Sequence, residues 1–328
     1  MALHNLSKLS RLDIDNGAGE PSPMSARWCA LALSLAAIAG AARDASGQAA
    51  VASDLWRVAA GTLAVPAALT EDGSAALWTP AAALPQAGPG VRIAIEAVHA
   101  PSDVGISGGI AAFGVRLGHL GTLNAVYGRL GFDGLVRTET SPQGLGDIPV
   151  YAEVVSLGLA RLVAPNLVVG AAVRSVSGQL DASSRGQVGV DVGLRYTDPS
   201  RVTLAFATRF FDPTLRQAEE AASYTAGASY QTAPSPMWGT TAVVSFRYGA
   251  TFAHGEGVQH LFSGGLGLGD IAELDVGAAR ESEAGTSVWR SRLGLAVGVG
   301  RYRVYVGRDG GVNDFGATYR FGFTATWP

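Results

Sequence analysis

Arginines have the most definite chemistry in this chain, because they recur at alternate positions of otherwise apolar runs. A guanidinium group binds a carboxylate or a phosphate through paired N–H donors. Arginines gathered on one face of a sheet would therefore form a binding surface for an acidic or amphipathic molecule. The arginines expected to line such a surface are Arg174, Arg195, Arg209, Arg247 and Arg320.

Nucleophilic catalysis is the first alternative, since residues 105–109 read Gly-Ile-Ser-Gly-Gly, the pattern of a serine-hydrolase elbow. That elbow needs a strand, a sharp turn and a helix, whereas here a predicted strand follows directly. The candidate bases His99, His119, His254 and His260 lie at or near predicted strand ends or loops, and none has a recognisable serine partner. We therefore expect a protein that is not an enzyme.

Metal and cofactor sites are not indicated by the remaining polar residues. His254 and Glu256 have the wrong spacing for a zinc pair on a helix. Asp309, Asn313 and Asp314 offer oxygen ligands, but the Asp-Gly-Gly that begins at Asp309 is first of all a turn. We expect neither a metal nor a cofactor.

The composition narrows the class of protein. Hydrophobic residues make up 48% of the chain, charged residues 16%, and there are 44 glycines. A disordered chain would be poor in apolar residues and rich in charge, so disorder is excluded. The net charge of -3 gives no reason to expect a nucleic-acid partner.

Period-two alternation dominates the chain from residue 91 onward. Between Phe315 and Trp327 the odd positions hold aromatic residues or alanine, and the even positions hold glycine, threonine or arginine. This pattern is typical of a strand with one apolar and one polar face. The sequence predicts 14 such strands, at 91–99, 106–118, 121–132, 151–163, 167–177, 188–196, 201–211, 222–231, 238–249, 258–269, 271–281, 287–300, 301–308 and 315–327.

The polar face of these strands is expected to point inward. An arginine that faces lipid at mid-bilayer costs about 2–4 kcal/mol. Four reversed strands would then lose as much free energy as the whole stability of a domain, roughly 5–15 kcal/mol. Arg161 is an exception, because it falls on the apolar parity.

Strand length favours a membrane barrel over a soluble β-sandwich. Strands of soluble proteins average about 5–6 residues, whereas these approach the roughly 9–11 residues that cross a bilayer. With both ends of the sheet on the periplasmic side, the longer connections, chiefly Asp133–Val150, all lie outside. We predict an all-β, transmembrane antiparallel β-barrel of about 14 strands, surrounded by lipid in the outer membrane of a Gram-negative-type bacterium.

The N-terminal region precedes this barrel as a predicted secretory signal. An uncharged, mostly apolar run from Trp28 to Ala42 follows Arg27 and is too short to span a membrane as a helix. Residues 1–49 are assigned to the signal and the tail before it. The sequence leaves open where the signal is cleaved and whether Met1 or Met24 is the true start.

A separate segment, 50–90, links the signal to the barrel at 91–328. It is rich in alanine and proline and lacks alternation. It is either a plug inside the lumen or a periplasmic arm. The plug is favoured, because an apolar arm left in water would be costly.

Two short motifs carry a family resemblance. Residues 72–82, Asp-Gly-Ser-Ala-Ala-Leu-Trp-Thr-Pro-Ala-Ala, resemble the N-terminal signature of the superfamily of FadL-type long-chain fatty-acid transporters and PorV/PorQ-like components of type IX secretion, with threonine in place of the usual asparagine. Residues 191–196, Asp-Val-Gly-Leu-Arg-Tyr, are similar to a middle-strand pattern of the PorV-like group. The plug-motif residues are Asp72, Thr79, Pro80 and Ala81.

The resemblance implies a 14-stranded barrel with an N-terminal plug that either takes up lipid-like ligands or shuttles surface proteins. The C-terminal strand resembles the closing strand of outer-membrane barrels, which implies the barrel-assembly machinery as a partner.

The predicted third strand, 121–132, has an irregular pattern. Its apolar residues change parity between Tyr127 and Leu130, so the alternation shifts by one residue at Gly128 and Arg129. A β-bulge produces a shift of this kind. FadL-type transporters resemble this in having a kinked third strand that lets an apolar ligand leave sideways into the membrane. We hypothesise the same lateral exit here, with a purely structural bulge as the alternative; a regular, fully paired strand would refute it.

Three functions remain open at this point. A transporter of hydrophobic or amphipathic, fatty-acid-like molecules would hold a continuous apolar pocket beside the arginines. A secretion or surface-assembly partner would have a plugged lumen and would bind an exported protein through its outer loops. A general diffusion porin would line a water-filled lumen with its polar residues. The modest size of the loops favours transport.

Overall fold

The computed structural model describes residues 49–71, 73–82, 84, 90–101, 105–137, 146–211, 222–253, 257–283, 286–311 and 316–328. The predicted signal segment therefore lies outside the described residues, except for Ala49. Among the described helices, none is long and apolar enough to cross a membrane.

Fourteen antiparallel strands close into a barrel, which confirms the predicted fold class and strand number. A further short strand, β9, pairs with β10 outside the ring. The strands are β1 (Val91–Ala100), β2 (Ile106–Arg116), β3 (Thr122–Phe132), β4 (Val150–Ala164), β5 (Leu167–Leu180), β6 (Ser183–Thr197), β7 (Val202–Arg209), β8 (Ser223–Gln231), β9 (Ser235–Met237), β10 (Thr240–Ala253), β11 (Gln259–Leu268), β12 (Ala272–Glu283), β13 (Thr286–Val299), β14 (Tyr302–Asp309) and β15 (Thr318–Trp327).

The C-terminal strand closes the ring. β15 pairs with β14 on one side and with β1 on the other, where Val91 is opposite Trp327 and His99 is opposite Tyr319. This pairing leaves neither the first nor the last strand with a free edge in the hydrocarbon, where unpaired backbone groups would cost several kcal/mol each. The strand begins at Thr318, later than predicted; residues 312–315 lie outside the described part of the chain.

Short turns gather at one end of the barrel, the short-turn end, and the longer loops at the other, the long-loop end. Val91 and Trp327 both lie at the short-turn end. The connection between the predicted strands 167–177 and 188–196 is shorter than the sequence indicates, because β5 and β6 continue to a tight turn at Asp181 and Ala182. Asp181 has a φ of 54°, which a tight hairpin turn of this kind requires.

The two faces of the wall differ as predicted. On the outward face Ile95 is 60% and Val155 is 55% exposed, whereas Arg174 and Asp191 on the inward face are fully buried. Arg161 lies on the outward face near the short-turn end of β4 and is exposed. At that depth a long arginine side chain can reach the headgroup region, which removes most of the cost of facing lipid.

The predicted bulge at Gly128 and Arg129 is wrong. β3 pairs without interruption from Thr122 to Phe132 with both β2 and β4. The apparent phase slip has another cause, because the plug makes the lumen apolar at this level and Leu130 faces inward against it, fully buried. Arg129 faces outward and pairs with Glu153 at 3.2 Å. A regular third strand removes the basis for a lateral exit there.

A register shift of the wall occurs instead at the short-turn end of β4, between Leu162 and Ala164.

The pairing between β6 and β7 is short. It runs from Gly193 to Thr197, and beyond this the Val190 N–H donates to the Phe211 carbonyl at 2.8 Å. Phe210, at the end of β7, has a φ of 59°.

The N-terminal segment packs against inward-facing residues of the barrel, and we refer to it as the plug. It contains the helix α1 (Ala49–Gly61), a 3-10 turn (Ala67–Leu69) and the short helix α2 (Ala75–Trp78). Trp56 and Trp78 are almost completely buried and belong to one apolar cluster with inward residues such as Ile110 and Val154. Burying each large apolar side chain contributes roughly 1.5–3 kcal/mol, so these residues fix the plug in the lumen.

Candidate functional site

A cavity of about 330 Å³ lies between the plug and the wall, in the half of the lumen nearer the short-turn end. Its plug side is apolar at Leu63, Val65 and Leu69 and charged at Glu71. Its wall side is strongly polar. The charged residues that line it are Glu71, Glu96, Arg195, Arg247, Glu273, Asp275, Arg303 and Arg320. The cavity is therefore amphipathic.

The arginines of this cavity are neutralised by carboxylates. Arg247 Nη2 lies 3.0 Å from Glu273 Oε1, and Arg247 also pairs with Asp275. Arg303 Nη2 lies 2.5 Å from Glu273 Oε2. Because the lining holds four arginines and four carboxylates, it carries no formal net charge.

A hydrogen-bonded cluster ties the plug to the wall beside the cavity. Glu96 of β1 accepts hydrogen bonds from the Ser74 N–H at 2.7 Å and from the Ser74 hydroxyl at 2.8 Å. Arg320 of β15 pairs with Glu96 and donates to Ser74 Oγ at 2.7 Å. The Trp78 indole N–H also donates to Ser74 Oγ, at 3.1 Å. We call Ser74, Trp78, Glu96 and Arg320 the plug latch.

A second plug contact involves Glu71, which pairs with Arg195. The carbonyl of Glu71 also accepts a hydrogen bond from Arg92 at 2.5 Å. The predicted candidates Arg195, Arg247 and Arg320 thus line one cavity, and each is paired with a carboxylate there.

The other two candidates lie elsewhere. Arg174 is fully buried, pairs with Asp191 at 2.5 Å and donates to the Leu77 carbonyl at 2.8 Å. Arg209 is 2% exposed, and its guanidinium carbon lies 5.5 Å from the centre of the Trp78 ring, while that of Arg320 lies 5.2 Å from it. Arg174 therefore holds the plug through a hydrogen bond, and Arg209 holds it through a cation–π contact. Neither of them lines the cavity.

The plug motif sits where the wall has no side chains. A Cβ atom on Gly193 would lie 2.6 Å from the Ala81 nitrogen and 3.1 Å from Pro80 Cδ, and one on Gly170 would collide with the Pro80 carbonyl. Thr79 is buried and ends α2. Asp72 lies outside the described residues. Inward glycines thus let the plug backbone touch the wall.

The strand motif 191–196 acquires a structural explanation. Its inward residues are Asp191, Gly193 and Arg195: Asp191 holds Arg174, Gly193 receives Ala81, and Arg195 pairs with Glu71. This strand therefore forms a seat for the plug, and the motif and the plug signature are parts of one contact.

Sequence patterns did not reveal the acidic half of the site. Glu96, Glu273 and Asp275 fall on the same polar parity as the arginines, which indicates that they face inward. Which carboxylate pairs with which arginine depends on which strands face each other across the barrel. Ser74 gave no signal, because a serine is commonplace in a loop. Ser107 of the hydrolase-like segment lies within β2, opposite Gly131 of β3. Among the described residues, no group of three or more histidine, cysteine or acidic side chains is placed to hold a metal.

Comparisons with known proteins identify the fold. No family model matches the chain, and no curated protein matches its sequence. The Ralstonia pickettii toluene transporter TbuX is 14% identical with a TM-score of 0.51 over 78% of this chain and 94% of its own. The monoaromatic hydrocarbon channel CymD is 12% identical, with a TM-score of 0.51 over 79% of this chain and 94% of its own. The P. putida toluene transporter TodX is 11% identical, with a TM-score of 0.50 over 78% of this chain and 94% of its own.

At these identities the likeness establishes the fold. The resemblance to FadL-type barrels predicted from residues 72–82 is thereby confirmed at the level of the fold.

Proposed function

We propose that this protein passes hydrophobic or amphipathic small molecules across the outer membrane of a Gram-negative-type bacterium. The observation that carries the proposal is the amphipathic cavity of about 330 Å³ between plug and wall. This volume lies within the roughly 300–1,000 Å³ of typical small-molecule sites, and the apolar side chains of the plug can receive an apolar part of a ligand. The fold shared with proteins named as toluene transporters and hydrocarbon channels supports the same class of solute.

The ligand we propose is uncharged or zwitterionic. The arginines that were expected to meet a ligand carboxylate are already matched by Glu71, Glu96, Glu273 and Asp275. An incoming carboxylate would have to displace one of these side chains and would leave a carboxylate unpaired in the lumen, which is costly. A molecule such as toluene, or a neutral amphipath, needs no such exchange.

A whole-cell uptake assay tests the proposal. Gram-negative cells that carry the protein in their outer membrane should take up radiolabelled toluene faster than cells without it, whereas the protein should add little to the uptake of laurate or glucose. Ala296→Phe fills the cavity, because Ala296 lines it and is 4% exposed, and should reduce toluene uptake. Leu295→Phe is the matched control, since the adjacent side chain faces outward and is 46% exposed. Glucose uptake equal to that of toluene would instead indicate a general porin.

A surface-assembly role is the second candidate, favoured by the plug that occupies the lumen. That role would use the loop Asp133–Val150, in which Val136 bridges to Asp147; residues 138–145 lie outside the described part of the chain. Recovery of an exported protein bound to the wild type, and its loss when this loop is shortened, would favour this role over transport.

A further inference from the structure

The outward wall of the barrel carries a polar and aromatic patch at the long-loop end of four adjacent strands. Its members are Tyr248 of β10, His260 and Phe262 of β11, Arg280 of β12 and Trp289 of β13, and we call them the outer-rim patch. His260 is directly opposite Arg280, and Arg280 is directly opposite Trp289. The patch is therefore continuous across the sheet.

The aromatic members pack against one another and are open to the membrane. Trp289 is 59% exposed and Phe262 is 48% exposed, with their ring centres 6.4 Å apart. Tyr248 and Phe262 are 5.0 Å apart. Aromatic side chains of this kind mark the headgroup level of a membrane protein, which places Arg280 at the same depth as lipid phosphates.

Arg280 has no acidic partner among the side chains that the structure describes. The hydrogen bond that it makes among them goes to the Ser287 hydroxyl, at 3.1 Å. The neighbouring Glu281 points inward and pairs with Arg290. An exposed arginine on the lipid face costs free energy unless an anion or water meets it, so the chain leaves this charge for a group from outside.

His260 provides a second donor next to this charge. The Tyr248 hydroxyl and His260 Nδ1 are 2.8 Å apart. When the hydroxyl donates to Nδ1, the ring proton resides on Nε2, the nitrogen that Tyr248 does not engage. The imidazole can then donate to the same anion as Arg280.

A contrasting site lies on the same rim. Arg129 of β3 pairs with Glu153 at 3.2 Å, and its guanidinium carbon lies 3.9 Å from the centre of the Tyr151 ring. This arginine has both a carboxylate and an aromatic partner supplied by the chain. The protein therefore neutralises Arg129 with Glu153, whereas it places no described carboxylate beside Arg280.

We propose that the outer-rim patch binds a phosphate group of a lipid in the outer leaflet, with Arg280 as the main contact and His260 as the second donor. The aromatic rings pack beside the upper part of the acyl chains. The occupant is a lipid rather than a soluble anion, because the donors sit within an apolar surface made by Phe262 and Trp289.

Native mass spectrometry of the purified full-length protein tests this assignment, with diphosphorylated lipid A as the probe. Arg280→Gln should lower the retained lipid roughly tenfold, the effect of losing one charge-assisted hydrogen bond, and His260→Gln should lower it less. Arg129→Gln is the matched control and should retain the wild-type amount. Folding of each variant is checked by its resistance to detergent-induced unfolding on a gel.

Three results would overturn the proposal. These are equal retention of dephosphorylated lipid A, equal loss in the Arg280 and Arg129 variants, and binding of inorganic phosphate as tight as that of the lipid. Should Arg280→Gln fail to fold, Arg280→Lys keeps the charge and removes the planar fork, and reduced but measurable retention is the expected result.

Discussion

At the scale of single residues, the charges that line the cavity are matched by partners from the protein itself. Arg320 is 2% exposed and is held between the Glu96 carboxylate, the Ser74 hydroxyl and the Trp78 ring. A buried pair of this kind adds little to stability compared with apolar residues of the same size, but losing one partner leaves the other charge stranded. The plug latch is therefore sensitive to single substitutions.

Glu96→Gln should destabilise the protein strongly for this reason. The variant leaves Arg320 without a carboxylate in the lumen, and we expect a loss of about 3–5 kcal/mol in the free energy of unfolding. Urea unfolding in lipid vesicles, followed by tryptophan fluorescence, measures it. Glu153→Gln breaks the rim pair with Arg129, which is half exposed, and should cost at most about 1 kcal/mol. Equal losses in the two variants would contradict this account of the plug latch.

At the scale of elements, the barrel wall and the plug fit because inward glycines leave space for the plug backbone. Gly170 and Gly193 receive Pro80 and Ala81, whereas Gly267 has only the Val243 carbonyl nearby, 3.9 Å from where its Cβ would lie. The same residue type thus serves two different purposes: a seat for the plug in one place, and open cavity in the other.

Gly193→Ala should unseat the plug. Its added methyl group would lie 2.6 Å from the Ala81 nitrogen, closer than packing permits, and the backbone has little freedom to move away. We expect faster cleavage of residues 62–84 by a protease added from the periplasmic side. Gly267→Ala also adds one inward methyl group, and it should be cleaved at the wild-type rate; if both variants behave alike, the seat is not specific.

The turn between β6 and β7 provides a pH-dependent contact outside the membrane. The Ser200 N–H donates to Asp198 Oδ1 at 2.7 Å, and this hydrogen bond, together with one from the Ser200 hydroxyl, lowers the pKa of Asp198 below its ordinary 3.8. A lowered pKa means that the carboxylate stabilises the turn above the unfolded pKa and that this contribution is lost as the pH falls through the folded pKa.

An NMR titration of the Ser200 amide resonance should therefore have its midpoint below 3.8. Ser200→Ala removes only the hydroxyl contribution, so its midpoint should move part of the way back. A midpoint at or above 3.8 in the wild type would contradict the assignment.

At the scale of the whole molecule, any passage of solute depends on whether the plug moves relative to the wall. Plug and wall share one apolar cluster as well as the plug latch. The cavity lies on the short-turn side of this contact, so a solute from the long-loop end must pass α1 and α2. We expect a displacement of the plug to accompany transport.

A disulfide between plug and wall should block this displacement. A Cβ on Gly294 would lie 3.0 Å from Ala64 Cβ, near the roughly 3.5–4.5 Å that a disulfide spans. Cells that carry the oxidised Ala64→Cys/Gly294→Cys protein should lose the toluene uptake that the wild type adds and regain it on reduction. The pair Thr197→Cys/Thr203→Cys, whose hydroxyls lie 3.2 Å apart within the wall, is the control that should leave uptake unchanged. Full uptake by the oxidised plug-to-wall variant would show that the plug stays in place.

The sequence alone determined the wall of this protein. Alternation with period two follows directly from the geometry of a strand, and the free-energy cost of a charged side chain that faces lipid assigns the charged face to the lumen. The number of strands and their closure through β15 could be read in the same way. The motif at 191–196 was recognised as a pattern, but its two direct contacts with the plug, Gly193 with Ala81 and Arg195 with Glu71, could not be, since they join positions more than 100 residues apart.

Only the tertiary structure decided what the lumen contains. The phase slip in β3 resembled a bulge, yet it records Leu130 packing against a plug whose position depends on the whole ring. The sequence likewise shows that the arginines face inward, but it does not show which carboxylates pair with them, because those carboxylates lie on strands that closure of the barrel brings together. Local pattern fixes which face a side chain takes, because that depends on backbone geometry, whereas its partner depends on the distance across the barrel.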